Sequence, residues 1–225
     1  MTSPQEPPVI AIDGPSASGK GTVAARVAQA LGFGYLDSGA LYRLVALSAL
    51  REGVDLADEA ALARIGEAMD VAFGAGSVRL QGREVEADLR GEEVGIAASR
   101  VAALPAVRQA LLRRQRAFRQ APGLVADGRD MGSIVFPDAP LKVFLTADVA
   151  ARAQRRYKQL MEKGMYAKME DVVEELRRRD ERDSTRPVAP LKHYPDAVFL
   201  DTTGISVEQA VEKILAWWRE TARGQ

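Results

Sequence analysis

Residues Gly14, Pro15, Ser16, Ala17, Ser18, Gly19 and Lys20 join an apolar run, Val9–Asp13, to a stretch of helical periodicity. Glycine at both ends of such a loop lets backbone N–H groups come close to a phosphate. A helix starting there adds free amides and the positive end of its dipole. Lys20 would then reach the β- and γ-phosphates of a nucleotide. One position departs from the common pattern G-x-x-x-x-G-K-[ST]. Gly21 stands where a hydroxyl on magnesium is usual, and Thr22 comes one place later. Thr22 is expected to cap the helix and to bond an α-phosphate oxygen. Mg2+ keeps several of its waters, so the ion is expected to be held mainly through phosphates and water. Asp127 ends the apolar run Leu124–Asp127 and could hold those waters from the position of a Walker-B aspartate, the alternative being a turn or helix-cap residue.

Two more clusters bear charge of both signs. Asp127, Arg129 and Asp130 lie in Asp-Gly-Arg-Asp-Met-Gly, residues 127–132, just past a buried strand. Open α/β sheets bind ligands at that edge. Arg179, Asp183 and Arg186 are spaced i, i+4, i+7 and share one helical face, an alternation suited to a ligand carrying hydroxyls and a phosphate. Their neighbours Arg178 and Arg182 fit solvated ion pairs, and Glu174–Arg178 and Glu175–Arg179 have ordinary i,i+4 spacing. Arg152, Arg155, Arg156 and Lys158 form either a mobile lid or a solvated basic helix. His193, the sole histidine, lies in a loop-like stretch and reads as a surface or packing residue. No general-base dyad stands out. The transfer that fits is one whose acceptor is itself a phosphate, because that nucleophile is already anionic and needs only positive charge and the exclusion of water.

The elements that must position these groups alternate between strand and helix. Strands are expected at Val9–Asp13, Gly34–Asp37, Leu124–Asp127, Lys142–Thr146 and Ala197–Asp201. Val23, Val27, Ala30 and Leu31 fall on one face of a first helix, and Gly32 stops it. Further helices are expected from Ser38 to Glu52, Pro105 to about Arg119, Asp148 to Lys163 and Met169 to about Thr185. Ser206 and Gln209 form a capping box ahead of a last amphipathic helix. Such alternation implies an α/β fold, a parallel sheet core flanked by helices. Asp70 to Arg90 breaks the rhythm with period-two alternation and turns at Gly74-Ala75-Gly76 and Gly82, so a small antiparallel insert is expected there.

The 225 residues suit one domain with a large core. Lysine plus arginine equals aspartate plus glutamate at 31 each, so no global charge draws the chain to nucleic acid or a membrane surface. Cysteine is absent, which excludes a disulfide scaffold and a cysteine-zinc site and fits a cytoplasmic setting. Residues 1–8 have neither the basic nor the apolar region of a signal peptide and read as a disordered lead. A monomer is expected, since no long apolar stripe is left over.

The segments "IDGPSASGKGT", "LDSGALYR", "LLRRQRAF…GLVADGRDMGSIVFPDAPLKVFL" and "RRDERDSTRPVAPL" resemble those of bacterial cytidylate kinases from about Val9 to Trp217. The resemblance implies a P-loop nucleoside monophosphate kinase fold and transfer of phosphate from ATP, with Mg2+, to CMP and dCMP. It implies that Ser38, Arg108 and Asp130 surround the cytosine, and that Asp183, Arg179 and Ser99 lie at the sugar. Arg43, Arg129 and Arg186 would grip the acceptor phosphate or the transferring group. Arg155 and Arg156 would belong to a lid over ATP at 152–168, and residues 67–100 to a nucleotide-monophosphate-binding insert. The rival expectations are another small-molecule kinase, acting on UMP, AMP or shikimate, and a non-enzymatic nucleotide switch.

Overall fold

The computed structural model describes residues 6–74, 77–162 and 164–223. In chain order the elements begin with β1 Val9–Asp13, α1 Lys20–Leu31, β2 Gly34–Asp37, α2 Ser38–Glu52 and α3 Glu59–Ala68. β3 Val71–Gly74, β4 Ser77–Leu80, β5 Arg83–Glu84, α4 Glu86–Leu89, α5 Glu92–Val101 and α6 Pro105–Arg116 follow. Then come β6 Leu124–Gly128, a π-helix Met131–Val135, β7 Leu141–Thr146, α7 Val149–Glu162, α8 Met169–Thr185, β8 Val198–Asp201 and α9 Val207–Arg223.

The chain divides into two compact units, one of residues 1–36 and 118–225, the other of 37–117. The first is built on a five-stranded sheet of order β2-β6-β1-β7-β8. β1 pairs in parallel with β6 and β7, and β7 in parallel with β8. Parallel strands need covered faces, and β1 supplies Val9, Ile10, Ala11 and Ile12, all fully buried. Ile10, Ile12, Val143 and Leu145 pack with Val23 and Val27 of α1 and Ile214 of α9 in one core. The capping box of α9 is present: Ser206 N donates to Gln209 Oε1 (2.8 Å) and Gln209 N to Ser206 Oγ (3.2 Å). α7 and α8 form a helical hairpin around Ala153, Leu160, Val172 and Leu176.

The second unit carries the three-stranded antiparallel sheet β3-β4-β5. The meander does not fill Asp70–Arg90, because the chain turns helical at Glu86. Ala75 and Gly76 of its expected first turn lie outside the described residues, as does Lys163. The helix from Pro105 stops at Arg116, three residues short of its expected end, with the cap amide of Ala117 donating to the Arg113 carbonyl. α3 and α5 were not foreseen. Of the expected disordered lead, residues 1–5 lie outside the described residues, but 6–8 are tied down. Arg119 Nε donates to Pro7 O (2.7 Å) and Leu124 N to Pro8 O (2.9 Å).

Candidate functional site

In the first unit the loop from Gly14 to Gly19 leaves β1 and turns into α1. Gly14 has no alternative: a Cβ there would lie 1.9 Å from the Leu145 carbonyl oxygen of β7. Ala17 takes a left-handed φ of 59° and Gly19 one of 92°, so the loop curls tightly over the helix start. Thr22 does not cap α1 as expected. Gly19 is the N-cap residue, Thr22 lies within the first turn, and no side chain bonds the cap. The first amides are thereby left for an anion, which the helix dipole favours. Lys20 is buried, with Nζ 3.5 Å from Pro15 O and 3.8 Å from Asp127 Oδ1.

Asp127 ends buried within β6 and also accepts from Tyr35 Oη (2.9 Å). Its carboxylate explains Gly21. A Cβ at residue 21 would come within 3.1 Å of Asp127 Oδ2 and 3.6 Å of Tyr35 Oη. A side chain at residue 21 would press on this carboxylate and touch the phenol.

Arg129 ties the loop to α8. Its Nη2 donates to Ser16 Oγ (2.8 Å) and its Nε to Asp183 Oδ2 (2.7 Å). Burial opposes the guanidinium charge, yet Asp183, Asp127 and Asp13 outweigh it and hold the Arg129 pKa above its ordinary value. Burial likewise pushes Asp183 up, but Arg129, Arg179 and Arg186 hold it below the usual carboxylate range. Arg179 and Arg186 thus lie within electrostatic reach of Asp183, Arg186 standing just past the helix as its C-cap residue. Arg186 Nη2 is 3.8 Å from Asp130 Oδ1, both side chains being buried. Asp13 closes β1 and accepts from the amides of Met131 (2.8 Å) and Gly132 (2.9 Å).

The basic residues of α7 differ in their surroundings. Arg152 is buried, forked onto Asp180 of α8 (3.1 and 2.7 Å) and 3.3 Å from Ser16 O. Arg155 donates to Ser18 O (2.8 Å) and Thr202 O (2.6 Å). Arg156 is half-buried and Lys158 exposed. Ser18, Thr22, Arg155, Gln159, Thr202 and Ser206 are among the residues lining a cavity of about 430 Å3 beside the loop. His193 is exposed at the surface, with its ring 5.6 Å from that of Phe144 and Nε2 2.7 Å from Ala197 O.

In the second unit, Ser38 opens α2, whose cap is Asp37 accepting from Ala40 N (3.1 Å). One turn on, the Tyr42 ring lies 5.7 Å beneath the Arg108 guanidinium, and Arg108 Nη1 donates to Ala102 O (3.0 Å). Arg43 donates to Leu89 O (2.7 Å) and lies against Gly95 of α5. Ser99, one turn beyond Gly95, is buried on the same helix. Tyr35, Tyr42, Asp13, Asp180 and Thr202 escaped the sequence reading. Asp13, Tyr42 and Asp180 lay within the segments "IDGPSASGKGT", "LDSGALYR" and "RRDERDSTRPVAPL", whereas Tyr35 and Thr202 lay outside them.

A phosphate loop on a parallel strand, a lysine–aspartate pair behind it and arginines at the same sheet edge define a P-loop phosphate-binding fold of the nucleotide-kinase class. The comparisons narrow the class. The family model described as Cytidylate kinase matches residues 10–220. The chain is 60% identical over 212 residues to a cytidylate kinase of Bordetella bronchiseptica, covering 94% of this chain and 95% of that one. It is 60% identical over 213 residues to one from Chromobacterium violaceum, with 95% and 96% covered. A cytidylate kinase of Cupriavidus necator is 60% identical over 210 residues, with 93% and 95% covered. A crystal structure of an uncharacterized protein from Eubacterium ventriosum shares the fold at a TM-score of 0.51 and 12% identity, over 93% of this chain and 97% of that one. This chain belongs to the cytidylate kinase family.

Proposed function

We propose that this protein transfers the γ-phosphoryl group of ATP to CMP and dCMP, giving CDP and dCDP. The observation that carries the reading is Arg129, which joins Ser16 of the donor loop to Asp183 on α8. Its position suits a group that steadies charge passing between donor and acceptor. An oxygen of the CMP phosphate attacks the γ-phosphorus in line, the new P–O bond forms as the bond to the β-phosphate oxygen breaks, and ADP leaves. Both oxygens are anionic, so no base is needed. Lys20 and the loop amides from Ser16 onward hold the β- and γ-phosphates, while Arg129 and Arg186 neutralise charge on the transferring group.

Among the described residues no cluster of three or more acidic or histidine side chains could hold a metal by itself. Asp127, beside Lys20 and held by Tyr35, fits the narrower task of orienting waters on an ion that enters with ATP. When bound, Mg2+ supplies positive charge across the donor phosphates. Arg155 and Arg156 serve the donor side, and the 152–168 segment acts as the lid that keeps water from the γ-phosphate.

On the acceptor side, Asp130 accepts from the cytosine N4 amino group, with Ser38 and Arg108 as its companions at the base. Uracil presents an acceptor at that position and would meet the carboxylate with repulsion. Asp183, with Arg179 and Ser99, takes the sugar hydroxyl that CMP and dCMP share, and Arg43 takes the acceptor phosphate. Both substrates are free nucleotides and the enzyme works as a cytoplasmic monomer. No described helix is long and apolar enough to cross a membrane. The deciding experiment is ADP release with CMP, dCMP, UMP, AMP or no acceptor. Rapid turnover with CMP and dCMP alone is expected. Equal turnover with and without CMP would sink the kinase reading, and UMP matching CMP would sink the role of Asp130.

A further inference from the structure

We propose that Asp13 is a positioning residue for acceptor recognition: its two carboxylate oxygens hold the amides of Met131 and Gly132 and so fix the preceding residue, Asp130, against the strand that enters the phosphate loop. The inference rests on the reading of Asp130 as the group that meets the cytosine.

Asp13 follows four fully buried apolar residues of β1 and directly precedes Gly14. In register it faces Gly128 of β6 on one side and Phe144 of β7 on the other. Its side chain is half-buried, and a carboxylate withdrawn even partly from water must recover its lost hydration in hydrogen bonds. Burial pushes Asp13 up to about 7, and the neighbouring Asp130 adds to the rise against the pull of both amides and of Arg129. The two bonds, 2.8 Å to Met131 N and 2.9 Å to Gly132 N, supply that recovery.

Those bonds fall where the chain most needs holding. After β6 it leaves regular structure at Arg129 and Asp130, and Asp130 sits at φ −151°, ψ 23°. The Asp130 carbonyl accepts from Ile134 N (2.9 Å) and Val135 N (3.2 Å), closing the π-helix behind it. Its C-terminal side is thus secured by the turn itself, and the amides of the next two residues are secured only by Asp13 in the bonds described. Each oxygen takes one amide. Asparagine, of the same shape, offers one acceptor and sets an NH2 group against the other N–H.

The test is steady-state kinetics of Asp13→Asn with ATP, CMP and UMP. The KM for CMP should rise about tenfold or more and the preference for CMP over UMP should fall by a similar factor, with the KM for ATP within about twofold. A purely structural role would move both nucleotides together, and that outcome, or no change in either, overturns the proposal. Asp130→Asn tests the underlying reading by itself. If it leaves the CMP preference intact, that reading fails and this inference with it; if it destroys the preference while Asp13→Asn does not, only the inference fails. Should Asp13→Asn not fold, hydrogen exchange on the unaltered, nucleotide-free enzyme decides. Met131 and Gly132 amides protected like those of β1 support the tie, and exchange as fast as an exposed loop overturns it.

Discussion

At the scale of single residues, the site is built from charges that are expensive alone and tolerable together. Arg129 touches Ser16 and Asp183 through different nitrogens of one rigid plane, a task for which a lysine, with one mobile ammonium, is unsuited. Arg129→Lys should lower kcat about tenfold or more while leaving the folded fraction unchanged, measured by stopped ADP release and circular dichroism. The two carboxylates on either side of Arg129 leave opposite marks on stability. Asp13 is raised from 3.8 to about 7, so between those values the folded state holds a proton that the unfolded state has released. Its contribution to stability therefore falls as pH rises through that window. Asp183 is lowered, so its contribution stands above the ordinary carboxylate range and is lost as pH falls. Thermal unfolding should lose less stability between pH 5 and pH 7 in Asp13→Asn than in the unaltered protein; an unchanged slope in that interval would mean that Asp13 titrates normally. Much of this was legible in advance. Lys20, Asp127, Arg129 and Asp183 declared themselves by charge at helical or post-strand spacing. Asp13 and Tyr35 did not, because one reads as the end of an apolar strand and the other as an ordinary aromatic until a fold sets each beside its partner.

At the scale of elements, the hairpin of α7 and α8 owes its attachment to a buried ion pair as well as to its small apolar seam. The Arg152 side chain is 5% exposed and that of Asp180 26%, with two hydrogen bonds between them. Removing one partner strands the other charge, which costs about 3–5 kcal/mol at fully buried sites and somewhat less where one side meets water. Asp180→Ala should lower the melting temperature by several degrees and raise ATP hydrolysis in the absence of acceptor, because Arg152 also reaches Ser16 O of the donor loop (3.3 Å). Strands and helix starts were legible wherever apolar runs or caps marked them, as with Ser206 and Gln209 or Pro105. α3 and α5 escaped because they are short, ten residues each, with few large apolar residues to mark the face that they do have. The basic helix that the sequence left open as lid or solvated face holds a buried anchor at Arg152, whose guanidinium is tolerated there because both of its ends are bonded to Asp180.

At the scale of the molecule, zero net charge means that recognition is local. The donor loop, Asp130 and Asp183 belong to one compact unit, and Ser38, Arg43, Ser99 and Arg108 to the other. The two substrates should therefore leave distinct footprints. In hydrogen exchange, ATP alone should slow amides in residues 14–22, and CMP alone should slow those of the helix starting at Ser38 and around Ser99. CMP protection confined to the first unit would remove the second from the acceptor site. Saturating nucleotide should also raise the melting temperature, by about 2.7 kcal/mol of added stability at a hundred times Kd. The assembly of Arg129 with Asp183, 54 positions apart, could not be read from spacing, which reports only what shares an element.

Gly21 carries a consequence for how such loops diverge. With the Asp127 carboxylate and Tyr35 phenol already in the space beside its Cα, adding the hydroxyl side chain of the common loop crowds an existing partner instead of supplementing it. A methyl at residue 21 would have to shift that carboxylate by a few tenths of an ångström, so positions 21 and 127 are expected to vary together among such loops.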